Sequence, residues 1–171
     1  MKVVLTITGS QRFGTDEPEK TSLVTEGTLE REGDILLLSY EESELTGMEG
    51  TTTVFRVEPA RITLQRSGTL ESQMVFELGH EDRSLYDMGF GALMITVLTD
   101  RLENTLTDAG GEMDVSYSVA IENETAGHID FISMSARRRH KNRPVPQFAE
   151  QALIFLFFTA SPDRRRRGHR R

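Results

Sequence analysis

The chain has 171 residues, a length that suits one domain with a tail. It contains no cysteine, which excludes disulfide bonds and thiolate chemistry. Its net charge of −7 is unevenly distributed, because residues 1–136 carry nine basic and 25 acidic side chains and residues 137–171 carry 11 basic and two acidic ones. Phosphate binding relies on lysine and arginine, so we expect the acidic body not to bind nucleic acid.

The first ten residues, MKVVLTITGS, alternate at once and lack the longer apolar segment of a signal peptide. No stretch reaches the roughly 18 apolar residues that a membrane-spanning helix needs. We therefore expect a cytoplasmic location and no membrane span.

Side chains alternate between apolar and polar along most of residues 1–136, with the period of two that predicts strands. In chain order the strand candidates are 2–9, 20–31, 35–44, 51–58, 61–67, 73–78, 83–88, 90–105, 112–121 and 125–135. Gly27 predicts a bend or bulge inside the second candidate, and Asp100 marks a bend in the eighth.

Short strands with short connections, and no convincing helix before Ala136, indicate an all-β sandwich or barrel. The short connections favour a meander that closes on itself, since closure removes exposed strand edges. We predict a single up-and-down antiparallel barrel of about eight to ten strands over residues 1–136. Residues 137–171 are predicted to form a basic, non-β tail, disordered or with a short helix over Phe148–Ala160.

The predicted hairpin from Arg61 to Leu78 places one arginine, Arg66, at the end of an inward row. A guanidinium is rarely buried without a partner, so a carboxylate, backbone carbonyls, water or a ligand must accept its hydrogen bonds. Glu41 and Glu42 are the candidate carboxylates, and a single bulge would exchange their faces, which leaves both open. The functional interpretation is a polar group at one barrel mouth that binds a carboxylate or phosphate; the alternative is a structural ion pair.

Three tyrosines and two other large side chains could line a cavity. Tyr40, Tyr86 and Tyr117 could supply hydroxyl groups, while Met74 and Phe76 could supply apolar contacts. The alternative for all five is ordinary packing in the barrel core.

No arrangement of a base, a nucleophile and an orienting group can be assembled from the motifs present, so we expect no enzyme activity. The sequence has no HExxH, EF-hand or GxSxG spacing, and the consecutive His80, Glu81 and Asp82 would point in different directions on a turn. We accordingly predict no metal and no cofactor.

Six segments together resemble the YwiB-like proteins, a family of small bacterial proteins. They are VTEGTL (24–29), SYEESELTGMEGTTT (39–53), ITLQRSG (62–68), MVFELG (74–79), LYDMGFGALMITVLTDRL (85–102) and GGEMDVSYSVAIEN (110–123). The resemblance implies a calycin-type, lipocalin-like β-barrel and a bacterial cytosolic setting, and it implies no reaction. Calycin barrels often bind small apolar molecules, which by analogy of fold suggests a ligand here.

Two functions follow as hypotheses: a binding barrel for a small apolar or acidic ligand near Arg66, and a protein-interaction module. The interaction would use the acidic surface or the basic tail. For the tail three alternatives stay open: contact with anionic surfaces such as lipid or nucleic acid, docking on its own barrel or on a second copy in a homodimer, or an extension without a native fold.

Overall fold

The computed structural model of this chain describes residues 1–12, 17–87, 92–122, 124–138 and 148–150. In these residues the strands are β1 Lys2–Arg12, β2 Glu19–Glu32, β3 Ile35–Glu41, β4 Thr51–Glu58, β5 Arg61–Gly68, β6 Ser72–Glu77, β7 Glu81–Asp87, β8 Ala92–Asn104, β9 Gly110–Ile121, β10 Glu124–Arg138 and β11 Phe148–Glu150. One turn of 3-10 helix, Glu44–Thr46, follows β3. Within the described part of the chain, no helix has the length and apolar character needed to cross a membrane.

The described strands form one antiparallel sheet in the order β6-β5-β4-β3-β2-β1-β10-β9-β8-β7, with β11 added beside β2. Every strand from β1 to β10 pairs with its neighbours in sequence except at the step from β6 to β7, and β1 pairs with β10. This is the connectivity of an up-and-down barrel. The first and last strands of the ladder are themselves joined by a turn over residues 78–80, so the sheet must curl to bring its two edges together.

The core lies on the inward face that the alternation predicts. On β1, for example, Val3, Leu5 and Ile7 are buried, and on β5 Ile62 and Leu64 are buried. The predicted hairpin of residues 61–78 is confirmed, with β5 and β6 paired from Arg61 and Glu77 to Arg66 and Ser72. The predicted all-β antiparallel fold of about eight to ten strands is confirmed as well, with ten strands in one continuous order and β11 beside β2; no ladder between β6 and β7 closes the sheet among the described residues.

At Asp100, where a bend was predicted, the pairing of β8 with β9 shifts register between Thr99 and Arg101. Of the bend or bulge predicted at Gly27, the bulge is wrong: β2 pairs with β1 in unbroken register through this residue, and its pairing with β3 begins there. A Cβ atom at Gly27 would lie 2.6 Å from the Ser39 carbonyl oxygen and 2.8 Å from Leu5 Cδ1. Glycine is therefore placed here for close approach of the backbone and for packing of Leu5.

The end of the barrel differs from the prediction. β10 continues to Arg138, beyond the predicted boundary at residue 136, and Phe148–Glu150 pair with β2 as a strand, where a non-β tail and the start of a helix were expected. The physical reason is an open edge: β3 pairs with β2 only from Gly27 onward, so the backbone groups around residues 22–24 remain available to another strand. The rest of the predicted tail lies outside the described residues.

Candidate functional site

A row of residues crosses five neighbouring strands on the inward face. Its members are opposite one another in register: Gly27 on β2, Tyr40 on β3, Thr53 on β4, Arg66 on β5 and Ser72 on β6. All five are buried. Side chains opposite one another on one face of antiparallel strands have Cβ atoms about 5 Å apart, so this polar row is a contiguous group.

Two apolar layers lie beneath the polar row on the same strands. The first consists of Leu38, Phe55, Leu64 and Met74, and the second of Leu36, Val57, Ile62 and Phe76. The interior of this half of the barrel therefore changes from apolar to polar along the strand direction, and the change takes place at Arg66.

Arg66 and Glu42 form a fully buried ion pair. Their side chains are 1% and 0% exposed, and Arg66 Nε lies 3.7 Å from Glu42 Oε1. The Thr53 hydroxyl donates a hydrogen bond of 2.6 Å to the same oxygen. We call Tyr40, Glu42, Thr53, Arg66 and Ser72 the polar cluster.

The backbone holds Glu42 at this place although β3 has ended. The N–H of Glu42 donates to the Thr51 carbonyl at 2.9 Å, which extends the pairing of β3 with β4 by one step. Nearby, the Thr69 N–H donates to the Gly50 carbonyl at 3.1 Å. At Gly68 a Cβ atom would collide with that same Gly50 carbonyl oxygen, and φ is +119°, so a glycine is required where the two loops meet.

Two oxygens of the polar cluster have no hydrogen-bond partner among the described residues. They are Glu42 Oε2 and Ser72 Oγ, both buried. A buried polar atom without a partner costs about 1–3 kcal/mol, and more when it is charged. Such an atom calls for a group that the described residues do not supply, for example water or a ligand.

Tyr40 is held neutral in this surrounding. Burial raises the pKa of the Tyr40 hydroxyl far above its usual range, and the negative charge of Glu42 raises this pKa further. The positive charge of Arg66 acts in the opposite direction and lowers the pKa. Tyr40 thus acts as a neutral hydroxyl, not as a second anion.

The structure shows which of the two candidate carboxylates, Glu41 or Glu42, faces inward beside Arg66. The row of Leu36, Leu38 and Tyr40 is buried, and it leads to the buried Glu42. Glu41 is exposed, and both of its carboxylate oxygens accept from the Thr52 hydroxyl at 3.0 Å. The inward position predicted for Arg66 is also what the structure has.

The remaining candidate residues divide into two groups. Met74, Phe76 and Tyr117 are buried in the core, where the rings of Phe76 and Tyr117 lie 4.9 Å apart at 50°. Met74 is the next inward-facing residue after Ser72 on β6, so it borders the polar cluster. Tyr86 belongs to β7, but its side chain lies outside the described part of the structure.

Sequence reasoning missed two members of the polar cluster, Thr53 and Ser72. For Ser72 a signal was present: the inward positions Met74 and Phe76, continued one step back along the same arm, lead to it. Thr53 was not singled out, because it is the last of three consecutive threonines, whose side chains alternate between the two faces of the strand.

The turn with His80 and Glu81 is exposed, and the described residues contain no group of three or more His, Cys, Asp or Glu that could hold a metal ion. Asp82 has a structural contact instead. Its Oδ2 accepts from the Val75 N–H at 2.9 Å and from the Ser84 hydroxyl at 3.1 Å. This carboxylate therefore bridges the step from β6 to β7.

Comparison with known proteins gives consistent relatives. The profile of the family described as Domain of unknown function (DUF1934) matches residues 5–132. The uncharacterized beta-barrel protein YwiB of Bacillus subtilis (strain 168) is 23% identical over 94 residues, 55% of this chain and 64% of that protein, so the alignment covers less than two thirds of this relative. A crystal structure of the ywiB protein from Bacillus subtilis matches with a TM-score of 0.67 and 18% identity, covering 81% of this chain and 92% of that one. The predicted resemblance is confirmed, and the structural similarity establishes a shared fold.

Proposed function

The chain belongs to the DUF1934 family, and we propose that it is a non-catalytic binding module that holds a small ligand at the polar end of its β-barrel. The observation that carries the proposal is the buried Glu42 Oε2, which lies beside the Arg66 guanidinium and has no hydrogen-bond partner among the described residues. A ligand that bonds to this oxygen would remove the cost of leaving a charged acceptor without a donor.

The surroundings of this oxygen support binding. Ser72 Oγ is a second buried atom without a partner among the described residues, and Ser72 lies directly opposite Arg66 across β5 and β6. Beneath both lies the apolar layer that includes Leu64 and Met74. Binding sites for small molecules commonly combine a mostly apolar lining with a few placed polar groups, as this arrangement does.

Binding without catalysis fits the chemistry of the polar cluster. Tyr40 is held neutral, and Glu42 is engaged with Thr53 and Arg66, so neither is set up as a free base beside a nucleophile. The groups instead offer fixed donors and acceptors on rigid strands, which suits recognition.

The test is a nuclear magnetic resonance titration of the full chain with hexanamide, hexanoate and hexylamine, which share a six-carbon chain and differ in the head group. We expect saturable shifts of the Arg66 and Ser72 amide signals with at least one of these probes. The Ser72→Val variant removes a hydroxyl that has no described partner, so we expect it to fold normally and to bind that probe about fivefold more weakly, the effect of one hydrogen bond.

The matched control is Ser67→Val, on the same hairpin but exposed, which should leave the affinity unchanged. Absence of saturable binding for all three probes would refute the proposal. Shifts confined to other parts of the barrel would refute it equally.

A second candidate function, a protein-interaction module, is favoured by the charge distribution: residues 1–136 carry a net charge of −16 and residues 137–171 one of +9. Regions with a large net charge attract partners of opposite charge and speed their association, and salt weakens this attraction by screening. We would compare proteins captured by the full chain and by a chain ending at Glu150, at low and high salt; the shorter chain keeps β11 and lacks six of the 11 basic side chains of residues 137–171. Partners that disappear with residues 151–171 or with salt support this function; capture that changes with neither excludes it.

A further inference from the structure

The polar cluster also restricts the class of ligand, an inference that rests on the proposed function. From its charges and its open acceptor we infer that the ligand is a neutral molecule with an amide or hydroxyl group that donates a hydrogen bond to Glu42 Oε2. A carboxylate, a phosphate or an ammonium group is disfavoured at this position.

The first argument is charge. Arg66 and Glu42 are both fully buried and lie 3.7 Å apart, so the pair already compensates its own charges. Tyr40 adds none, because it remains a neutral hydroxyl. A ligand with a charged head group would leave one uncompensated charge in a buried site, which costs several kcal/mol. A neutral head group avoids that cost.

The second argument is the direction of the hydrogen bond. A carboxylate accepts hydrogen bonds and cannot donate them. Glu42 Oε1 already accepts from Thr53, whereas Oε2 has no donor among the described residues. The missing partner must therefore bring an N–H or O–H group, which a carboxylate or phosphate ligand does not offer when ionised.

The third argument is the position of Ser72. Its hydroxyl can donate or accept, and it lies across the strand pair from Arg66, within the same polar row. An amide head group has both a donor and an acceptor, so it could satisfy Glu42 Oε2 and Ser72 Oγ together. The apolar layer of Leu38, Leu64 and Met74 suits an alkyl or ring portion of the same molecule.

The experiment compares dissociation constants of hexanamide, hexanoate and hexylamine for the full chain at neutral pH. We expect hexanamide to bind at least tenfold more tightly than either charged probe. In the Glu42→Gln variant the carboxylate is gone and Arg66 keeps its charge, so we expect the preference to move to hexanoate. The control is Glu41→Gln, which alters the exposed neighbouring carboxylate and should keep the original order.

The outcomes separate the two proposals. If hexanoate or hexylamine binds most tightly to the native chain with shifts at Arg66 and Ser72, the ligand class is wrong and the binding function stands. If no probe binds, both are wrong. Should Glu42→Gln fail to fold, the order measured with the native chain still decides the ligand class.

Discussion

The raised pKa of the Tyr40 hydroxyl follows from the inward position of this residue on β3. Tyr40 continues the inward row of Leu36 and Leu38, and so its hydroxyl enters the barrel next to the buried charges of Glu42 and Arg66. Because burial is the largest cause of its raised pKa, the hydroxyl keeps its proton in the folded state under conditions where an exposed tyrosine would lose it.

This difference predicts a loss of stability in alkaline solution. Above about pH 10 the unfolded chain releases the Tyr40 proton and the folded chain retains it, so the free energy of unfolding falls as pH rises. The native chain should lose up to about 1.4 kcal/mol per pH unit more than the Tyr40→Phe variant between pH 10 and 11.5. Denaturant unfolding of both proteins at several pH values measures this difference, in which the other ionisable groups cancel. Parallel curves for the two proteins would contradict the burial of this hydroxyl.

Single residues also mark the limit of prediction from the sequence. The inward position of Arg66 followed from alternation within one strand and needed no other information. The choice between Glu41 and Glu42 did not, because it depends on whether β3 keeps its alternation where it passes into the loop. In the structure β3 ends at Glu41, yet the hydrogen bond from the Glu42 N–H to the Thr51 carbonyl continues the pairing. The alternation of inward and outward side chains therefore continues to Glu42.

Among the elements, the hairpin of β5 and β6 was predictable and β11 was not. The hairpin has two alternating arms around a glycine-containing turn, so its apolar faces fix its register. β11 has three described residues, too few for a period of two to be recognised. Its position depends on the edge of β2 that β3 leaves open, a feature of the assembled sheet and not of either segment.

For β2, the sequence likewise left the structural role of Gly27 undecided. Glycine inside a strand signals either a bulge or a close approach, and the sequence does not distinguish them. The unbroken register with β1 through Gly27, together with the short distances from its Cβ position to Ser39 and Leu5, identifies close approach. The same residue begins the polar row, opposite Tyr40 on β3.

At the scale of the whole molecule, the fold is a ring of sequential strand pairings with one step missing. The pairing of β1 with β10 brings together the two ends of the β-rich region, as closure requires. Over the described residues of β6 and β7 no backbone ladder joins these two strands, although they are consecutive. Side-chain and turn contacts take its place, namely the Val75 N–H to Asp82 bond and a 3.0 Å bond from the Gly79 N–H to the Thr99 carbonyl.

This seam between β6 and β7 predicts a local effect for Asp82→Ala. The change removes the acceptor of the Val75 N–H, which faces away from β5, and leaves every described ladder intact. Since one such bond contributes about 1 kcal/mol, amide hydrogen exchange at Val75 should become about fivefold faster, while exchange in β1 and β2 stays as it was. The matched control is Glu81→Ala, whose carboxylate bonds only to the exposed Arg83 among the described contacts. Equal exchange rates at Val75 in all three proteins would mean that Asp82 does not hold the seam, and that β6 depends on β5 alone.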